Sequence, residues 1–558
     1  MTSRSLHGAV AGGHPLEVEA GLEMLRLGGN AIDAVVAAAF AGFVVEPASC
    51  GIGGYGHLSL RIGATGEMLS VDHYVRAPAA ARADMFAIDE TKPLKYYGFP
   101  HTVGMKAERG HLAPAVPGAV AGMCEAHARF GRLPLARVLE PAIAAAETGV
   151  PVTWSLLLVI APLLDEIRSL PHTAAFLLRD GKLPRIAGQI SDGDRLDCRE
   201  LAATLRLIAA KGAAGFHDGP VAAAIERECK AHGGILTAAD LAAYKPRWLR
   251  ERPLAYRDHR YITCFDQVGY EALNILARFD LRAQGRDAVA TRHLMAEAQA
   301  CAFADSMTHY GDPDFERSPV AGLASPGFAE ERARAIRLER ALPRPVGAAD
   351  PWPYDRQGPA PERLPPGPSS AKIDGTSQMV AVDEEGNVAS LITSLTSGFG
   401  SLVQVPGTGV FLNNSMQNFD PRPGFANSIK PGKMPIFAAP ALVSATDDGR
   451  LFAAAGSGGY RIVSGVLHAF VHHVDFDDAP QAAIDRPRVH CQGQETYIDA
   501  RLPAAIGERL AELGHKVIVQ REDPGLNPFG RVCAVAIDAR GGFAAGAGPS
   551  WGAAAGTR

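Results

Sequence analysis

In IDGTSQMVAVDEEGN, residues 373–387, a threonine preceded by glycine stands at the head of a strand pattern. A hydroxyl so placed can attack the carbonyl of its own preceding residue and move the acyl group from nitrogen to oxygen, after which water cuts the ester. Glycine at 375 leaves that carbonyl unshielded and lets the backbone twist. The new amino terminus would hold a free α-amine beside the Thr376 hydroxyl, and that amine can act as general base. Gly375 and Thr376 are therefore the candidate cleavage site, and Thr376 the candidate nucleophile. QMVAVD-EEGN-VASLITS reads as a hairpin with Glu384 to Asn387 as its loop. If Asp383 pairs with Val388, residue 395 lies opposite Thr376, and the hydroxyls of Ser394 and Thr396 flank it. A purely structural reading stands beside this one, because Thr and Ser also suit a strand edge.

A second group follows in LFAAAGSGGYRIVSGVLHAFVHH, a strand pattern running through glycines into a helix. Gly458 and Gly459 at a helix start would present backbone N–H groups to a developing anion. A plain strand-to-helix turn is the alternative; a phosphate loop would need a Lys-Ser or Lys-Thr that does not follow. His468 and His472, four apart with Asp475 beyond, have metal-ligand spacing, but without HExxH and among apolar neighbours they read better as a packed helix face. GxGxxG at Gly51, Gly53 and Gly56 has a helix before it and the alternating HLSLRI after it, the reverse of a dinucleotide fingerprint. Those glycines are expected to allow a tight helix-to-strand crossing.

The elements that must carry these residues belong to an ordinary globular chain. It has 558 residues, 47% hydrophobic and 21% charged, with a net charge of −5 and no strongly basic segment, which argues against a nucleic-acid partner. Eight scattered cysteines form no CxxC pair, so neither zinc nor thioredoxin-type chemistry is supported. The run 31–45, AIDAVVAAAFAGFVV, contains Asp33 and is too short to span a membrane, so a buried helix is expected. MTSRSLHGAVAGGHP has no apolar core of signal-peptide length, which predicts a cytoplasmic protein with reduced thiols. Residues 115–340 are mostly helical in pattern. Nine prolines between Pro343 and Pro368 predict an extended connector without regular structure, and strand patterns dominate after it.

The chain resembles the γ-glutamyltransferase (glutathione hydrolase) family of N-terminal-nucleophile hydrolases. The resemblance rests on GGNAIDAVVAAAF, VPGAVAGMCEAHARFGRLPLARVLEPAIAAAETG, GGILTAADLAAYKPRW, HLMAEAQACAFADSMTHYGDPDF, TSQMVAVDEEGN, FLNNSMQNF and GSGGYRI, in that order. It implies an α+β fold of the four-layer αββα type and cleavage before Thr376. Residues 1–375 and 376–558 would then form an obligate pair of subunits, with a dimer of such pairs left open. It makes Thr376 the nucleophile, puts Ser394 where the family has a supporting threonine, and makes Gly458 and Gly459 the oxyanion hole. No cofactor or metal is implied, and a small-molecule amide is the expected substrate.

The family's clamp for the γ-glutamyl group is altered. In DHYVRAP, Tyr74 stands at the position of the carboxylate-binding arginine, with Arg76 two residues on. The family's paired serines fall near Phe437 and Ala438, its hairpin asparagine becomes Thr396, and its amine-binding glutamine and aspartate become Ser415 and Asn418. CFDQVGYEA, beginning at Cys264, replaces a stretch rich in proline and serine. Losing the partner of a desolvated charge costs several kcal/mol. The expected function is thus an N-terminal-threonine amide hydrolase or acyltransferase acting on a short carboxylated acyl amide, as in the oxamate-hydrolase-like relatives. An ordinary glutathione hydrolase with Arg76 recruited to the clamp, and a non-catalytic binding protein on the same fold, are the alternatives.

Overall fold

Side-chain caps set the start of the first buried layer. The computed structural model describes residues 7–95, 98–188, 192–264, 266–361, 375–522, 528–548 and 553–557. After β1 (Gly8–Gly12), helix α1 (Pro15–Arg26) ends at Leu27, just before Gly28 turns the chain at φ +84°. The Asn30 side chain accepts from the N–H groups of Ile32 and Asp33, and Asp33 reaches back to the Asn30 N–H, so α2 (Ala31–Val45) begins there. Every residue of α2 is buried, as its all-round apolar pattern requires.

β2 (Tyr55–Arg61), β3 (Met68–His73) and β4 (Arg247–Leu249) follow in the first sheet. β5 (Leu254–Tyr256) and β6 (His259–Ile262) enter the second sheet, before the helices α3 (Gln267–Leu276) and α4 (Val289–His309). The hairpin strands are β7 (Gly375–Asp383) and β8 (Val388–Thr396). β9 (Leu442–Ala445), β10 (Leu451–Ser457), helix α5 (Arg461–Phe476), β11 (Arg531–Ile537), β12 (Phe543–Ala547) and β13 (Ala554–Thr557) complete the frame. One antiparallel sheet has the order β13-β1-β7-β8-β2-β3-β4, the other β12-β11-β10-β9-β6-β5. They pack face to face, with α1 and α2 covering the first and α5 the second. This is the expected α+β, four-layer αββα arrangement. Alternation along β7 serves both faces: Val380 and Val382 join the core shared with the second sheet, while Met379 and Ala381 join the core under α2.

Two sequence expectations need correction. The hairpin pairs Val382 with Val388, one residue off the expected register, and an irregularity between Gly375 and Ser377 takes Thr376 out of the ladder. The proline-rich stretch is not uniformly an unstructured tether. Val346 donates to the Gly493 carbonyl at 2.8 Å and Ala349 to Asp305 at 2.6 Å, and residues Trp352–Tyr354 form a 3-10 turn with Trp352 buried. A buried indole with the Arg317 guanidinium on its face gives this stretch the packing that proline content alone does not reveal. Its remainder, 362–374, lies outside the described residues. All eight cysteines are unpaired and buried. No helix among the described residues is long and apolar enough to cross a membrane.

The glycines after α2 behave as expected. A Cβ at Gly54 or Gly56 would lie 2.3 Å from the carbonyl oxygens of Ser394 and Ile392, so only glycine lets this crossing close on β8. At the other end of the hairpin the Asp383 carboxylate accepts from Ala31 N at 2.9 Å, Asn387 Nδ2 at 2.8 Å, and the N–H groups of Glu385 and Asn387 at 3.0 Å. It thereby ties the hairpin turn to the start of α2. Replacing Asp383 with Ala should leave those donors without their acceptor and cost about 1–3 kcal/mol. A thermal melt should show a lowered midpoint, and an unchanged melt would mean the turn is held by other contacts.

Candidate active site

Because Thr376 sits at the bulge, its side chain and the preceding carbonyl face the same neighbour. The Thr376 hydroxyl donates to the Gly375 carbonyl oxygen at 2.7 Å and lies 3.1 Å from Ser394 Oγ. Ser394 donates to the same carbonyl at 2.6 Å and accepts from the Thr396 N–H at 2.8 Å. Two hydroxyls thus polarise the carbonyl carbon that a Thr376 attack would reach. Thr376 and Ser394 are both buried, so little water competes for these bonds.

A small cavity of about 30 Å³ opens beside them. Its lining includes Tyr55, Tyr74, Thr376, Ser394, Thr396, Asn418, Ile436, Phe437, Ala438 and Gly459. Gly459 is at φ +61° and Gly458 at φ +120°, between the end of β10 and the start of α5, a left-handed turn that glycine adopts without strain. Gly458 lies one step further back, where a Cβ would be 2.9 Å from the Gly530 α-carbon. Thr396 is at φ +82°, a costly conformation for a β-branched residue. Its hydroxyl is held between Tyr55 at 2.8 Å and Ser415 at 2.7 Å. Ser415 therefore supports the cavity through Thr396 and does not line it. Tyr74 accepts from Asn418 Nδ2 at 3.0 Å, packs edge-on against Tyr55 and lies against Phe437. The Asn418 Oδ1 atom is buried with no hydrogen-bond partner among the described residues.

Arg76 does not reach this cavity. Its guanidinium donates to Asp72 at 2.9 Å and to the carbonyls of Tyr74 and Val75. Burial alone would raise the Asp72 carboxyl, but Arg76, His57 and Arg247 outweigh it and hold the group well below the usual carboxylate range. Arg76, a candidate substrate-binding residue and the one the glutathione-hydrolase alternative would recruit to the clamp, is thus already neutralised within the fold. Among the described residues, those lining the cavity include no charged side chain.

His468 and His472 sit on α5 facing the buried Arg292, whose Nη1 lies 2.9 Å and 3.4 Å from their Nε2 atoms. A guanidinium occupies the place a metal ion would take. A larger cavity of about 690 Å³ lies elsewhere, beside Phe43, Ile52, Phe176 and Phe411. Burial pushes both of its thiols up, Cys50 strongly and Cys198 to about 12, so neither is a ready nucleophile.

The sequence reading missed a buried group behind the threonine. The Arg531 guanidinium donates to the Thr376 carbonyl at 2.7 Å, to Ser457 Oγ at 2.8 Å and to Glu46 Oε1 at 3.0 Å. The Ser377 hydroxyl donates to Glu46, and Glu17 stands next to it, accepting from Gly13 N at 2.8 Å. Burial and the Glu46 charge push the Glu17 carboxyl up; burial would also raise Glu46, but Arg531 holds it below the usual range. Of the two, Glu46 is the carboxyl that the neighbouring guanidinium favours as the anion, and Glu17 the one that more readily keeps its proton. A signal existed: Glu46 closes an apolar run and Arg531 opens an apolar strand, positions where an unpaired charge would be expensive.

Residues 18–557 match the family model described as Gamma-glutamyltranspeptidase. The chain is 37% identical over 524 residues to the Acylase ACY 1 proenzyme of Pseudomonas sp. (strain SE83), covering 92% of this chain and 87% of that protein. It is 31% identical over 543 residues to the Glutathione hydrolase proenzyme of Bacillus subtilis (strain 168), covering 95% and 88%. Among solved structures, the cephalosporin acylase from Bacillus halodurans superposes with a TM-score of 0.84 at 29% identity, covering 100% of this chain and 96% of that one. The chain belongs to the gamma-glutamyltranspeptidase family, a hydrolase and transferase family of the N-terminal-nucleophile fold.

Proposed function

We propose that the chain cuts itself between Gly375 and Thr376 and then hydrolyses, or transfers, the acyl group of a small amide whose acyl part is short and uncharged. In the first step Thr376 Oγ adds to the Gly375 carbonyl carbon and its proton passes to the departing Thr376 nitrogen. The C–N bond breaks, and water splits the resulting ester into a Gly375 carboxylate and the free Thr376 hydroxyl. The convergence of the Thr376 and Ser394 hydroxyls on the Gly375 carbonyl supports this step. So do the names of two relatives, both called proenzymes. In turnover the freed α-amine takes the hydroxyl proton, Oγ attacks the substrate carbonyl, and the N–H groups around Gly458 and Gly459 receive the oxyanion. The fragments 1–375 and 376–558 would stay together, since each sheet contains strands from both, interleaved in the first and joined edge to edge in the second.

The observation that carries the substrate reading is the uncharged lining of the cavity beside Thr376. The carboxylated acyl group expected from sequence finds no cation there, and an α-ammonium finds no carboxylate. Either charge would lose its hydration without compensation. Asn418 Oδ1, buried and without a partner among the described residues, offers an acceptor instead, which favours a neutral acyl group ending in a donor such as a carboxamide or hydroxyl.

Three outcomes test this reading. Purified wild-type protein should run on a denaturing gel as fragments 1–375 and 376–558, and Thr376→Ala as one chain; an active, intact wild type would refute the threonine mechanism. Gly459→Val forces a β-branched residue into φ +61° at the cavity wall and should lower kcat about 100-fold, or roughly 3 kcal/mol, with processing checked on the same gel. Undiminished turnover would place the oxyanion elsewhere. For substrate choice, kcat/KM should be compared for three p-nitroanilides of one acyl length: γ-glutamyl, glutaryl, and the glutaric monoamide. The neutral amide should lead and the γ-glutamyl compound should trail it by roughly 100-fold or more. A preference for γ-glutamyl would return the protein to the ordinary glutathione hydrolases.

A further inference from the structure

One guanidinium touches the backbone of the nucleophile and the strand end that leads into the glycine loop. Arg531 lies on β11 directly opposite Ser457 of β10, so its fork spans from the second sheet to Thr376 in the first. Arg531 is 5% exposed, and Glu46 and Glu17 close the space behind it. By covalent geometry an α-nitrogen lies ~3 Å from its own carbonyl oxygen, which brings the guanidinium within about 5–6 Å of the Thr376 nitrogen. The other titratable groups facing this spot are His14 from the start of α1, Cys50 beyond α2, and Cys533 on β11. Burial lowers His14 and raises both thiols, which leaves Arg531 and the glutamate pair as the charges beside the nitrogen.

We propose that Arg531 and the Glu17–Glu46 pair are positioning residues for the nucleophile: the guanidinium holds Thr376 and the glycine loop at one spacing, and the balance of its charge against the carboxyl groups behind it sets the pH at which the α-amine of processed Thr376 becomes the free base. This rests on the N-terminal-threonine reading above. The sign follows from the charges. A cation at this range disfavours the ammonium and lowers the pH at which it loses its proton; an anion does the reverse. Glu46→Gln alone would let Glu17 ionise in its place, so both must be neutralised to leave Arg531 unopposed.

The test is the pH dependence of kcat/KM for the best neutral p-nitroanilide, measured on processed protein. Glu17→Gln/Glu46→Gln should move the acid-side midpoint down by roughly one pH unit, and Arg531→Met should move it up. Arg531→Lys keeps the charge but loses the fork, so kcat should fall at least tenfold with KM and the midpoint unchanged. If the Met or double-Gln variant does not fold, the Lys variant still decides: full kcat overturns the spacing role. Unmoved midpoints in processed, active Met and double-Gln variants overturn the charge role. A wild type that is never processed sinks the threonine reading itself, and the proposal with it; processed and active wild type with unmoved variants sinks only the proposal.

Discussion

The geometry at the head of β7 depends on one break in a hydrogen-bond ladder. Regular pairing would place Thr376 in register with the opposing strand, its side chain alternating with its neighbours' between the sheet faces while the Gly375 carbonyl stays in the sheet plane. The irregularity between Gly375 and Ser377 removes that alternation for a single residue. Both groups then meet Ser394, and Ser394 in turn takes the Thr396 N–H. Thr396 is held at a positive φ by this bond and by the hydroxyls of Tyr55 and Ser415. Strain at one residue is thus offset by three hydrogen bonds in a buried setting.

Charge is handled in layers around this point. Next to the threonine the cavity wall is aromatic, aliphatic and hydroxylic. The charges lie behind it, each paired: Arg76 and Arg247 on Asp72, Arg531 on Glu46. A buried pair of this kind contributes little net stability, but removing one partner leaves the other desolvated, so each pair is fixed in place once formed. That is why an arginine two residues from the expected position cannot be lent to a substrate.

Much of this was legible from the chain itself, for local reasons. The cap at Asn30, the apolar helix after it, the loop of the hairpin and the glycine run before α5 each follow from residues within a few positions of one another. Gly375-Thr376 could be read as a nucleophile because the chemistry of an N-to-O shift needs only adjacent atoms. Three things were decided by the tertiary structure. The hairpin is offset by one residue already at its turn, where Val382 rather than Asp383 pairs with Val388 and the Asp383 carboxylate takes the turn's N–H groups; the irregularity between Gly375 and Ser377 then returns Gly375 to Thr396, the partner the sequence register gives. The direction of Arg76 was decided by Asp72 and the backbone carbonyls around it, and spacing along the chain carries no information on which partner wins. Glu46 and Arg531, 485 residues apart, meet only because two sheets stack face to face. A contact of that sequence separation leaves no local pattern, only two charges in apolar segments that have to find each other.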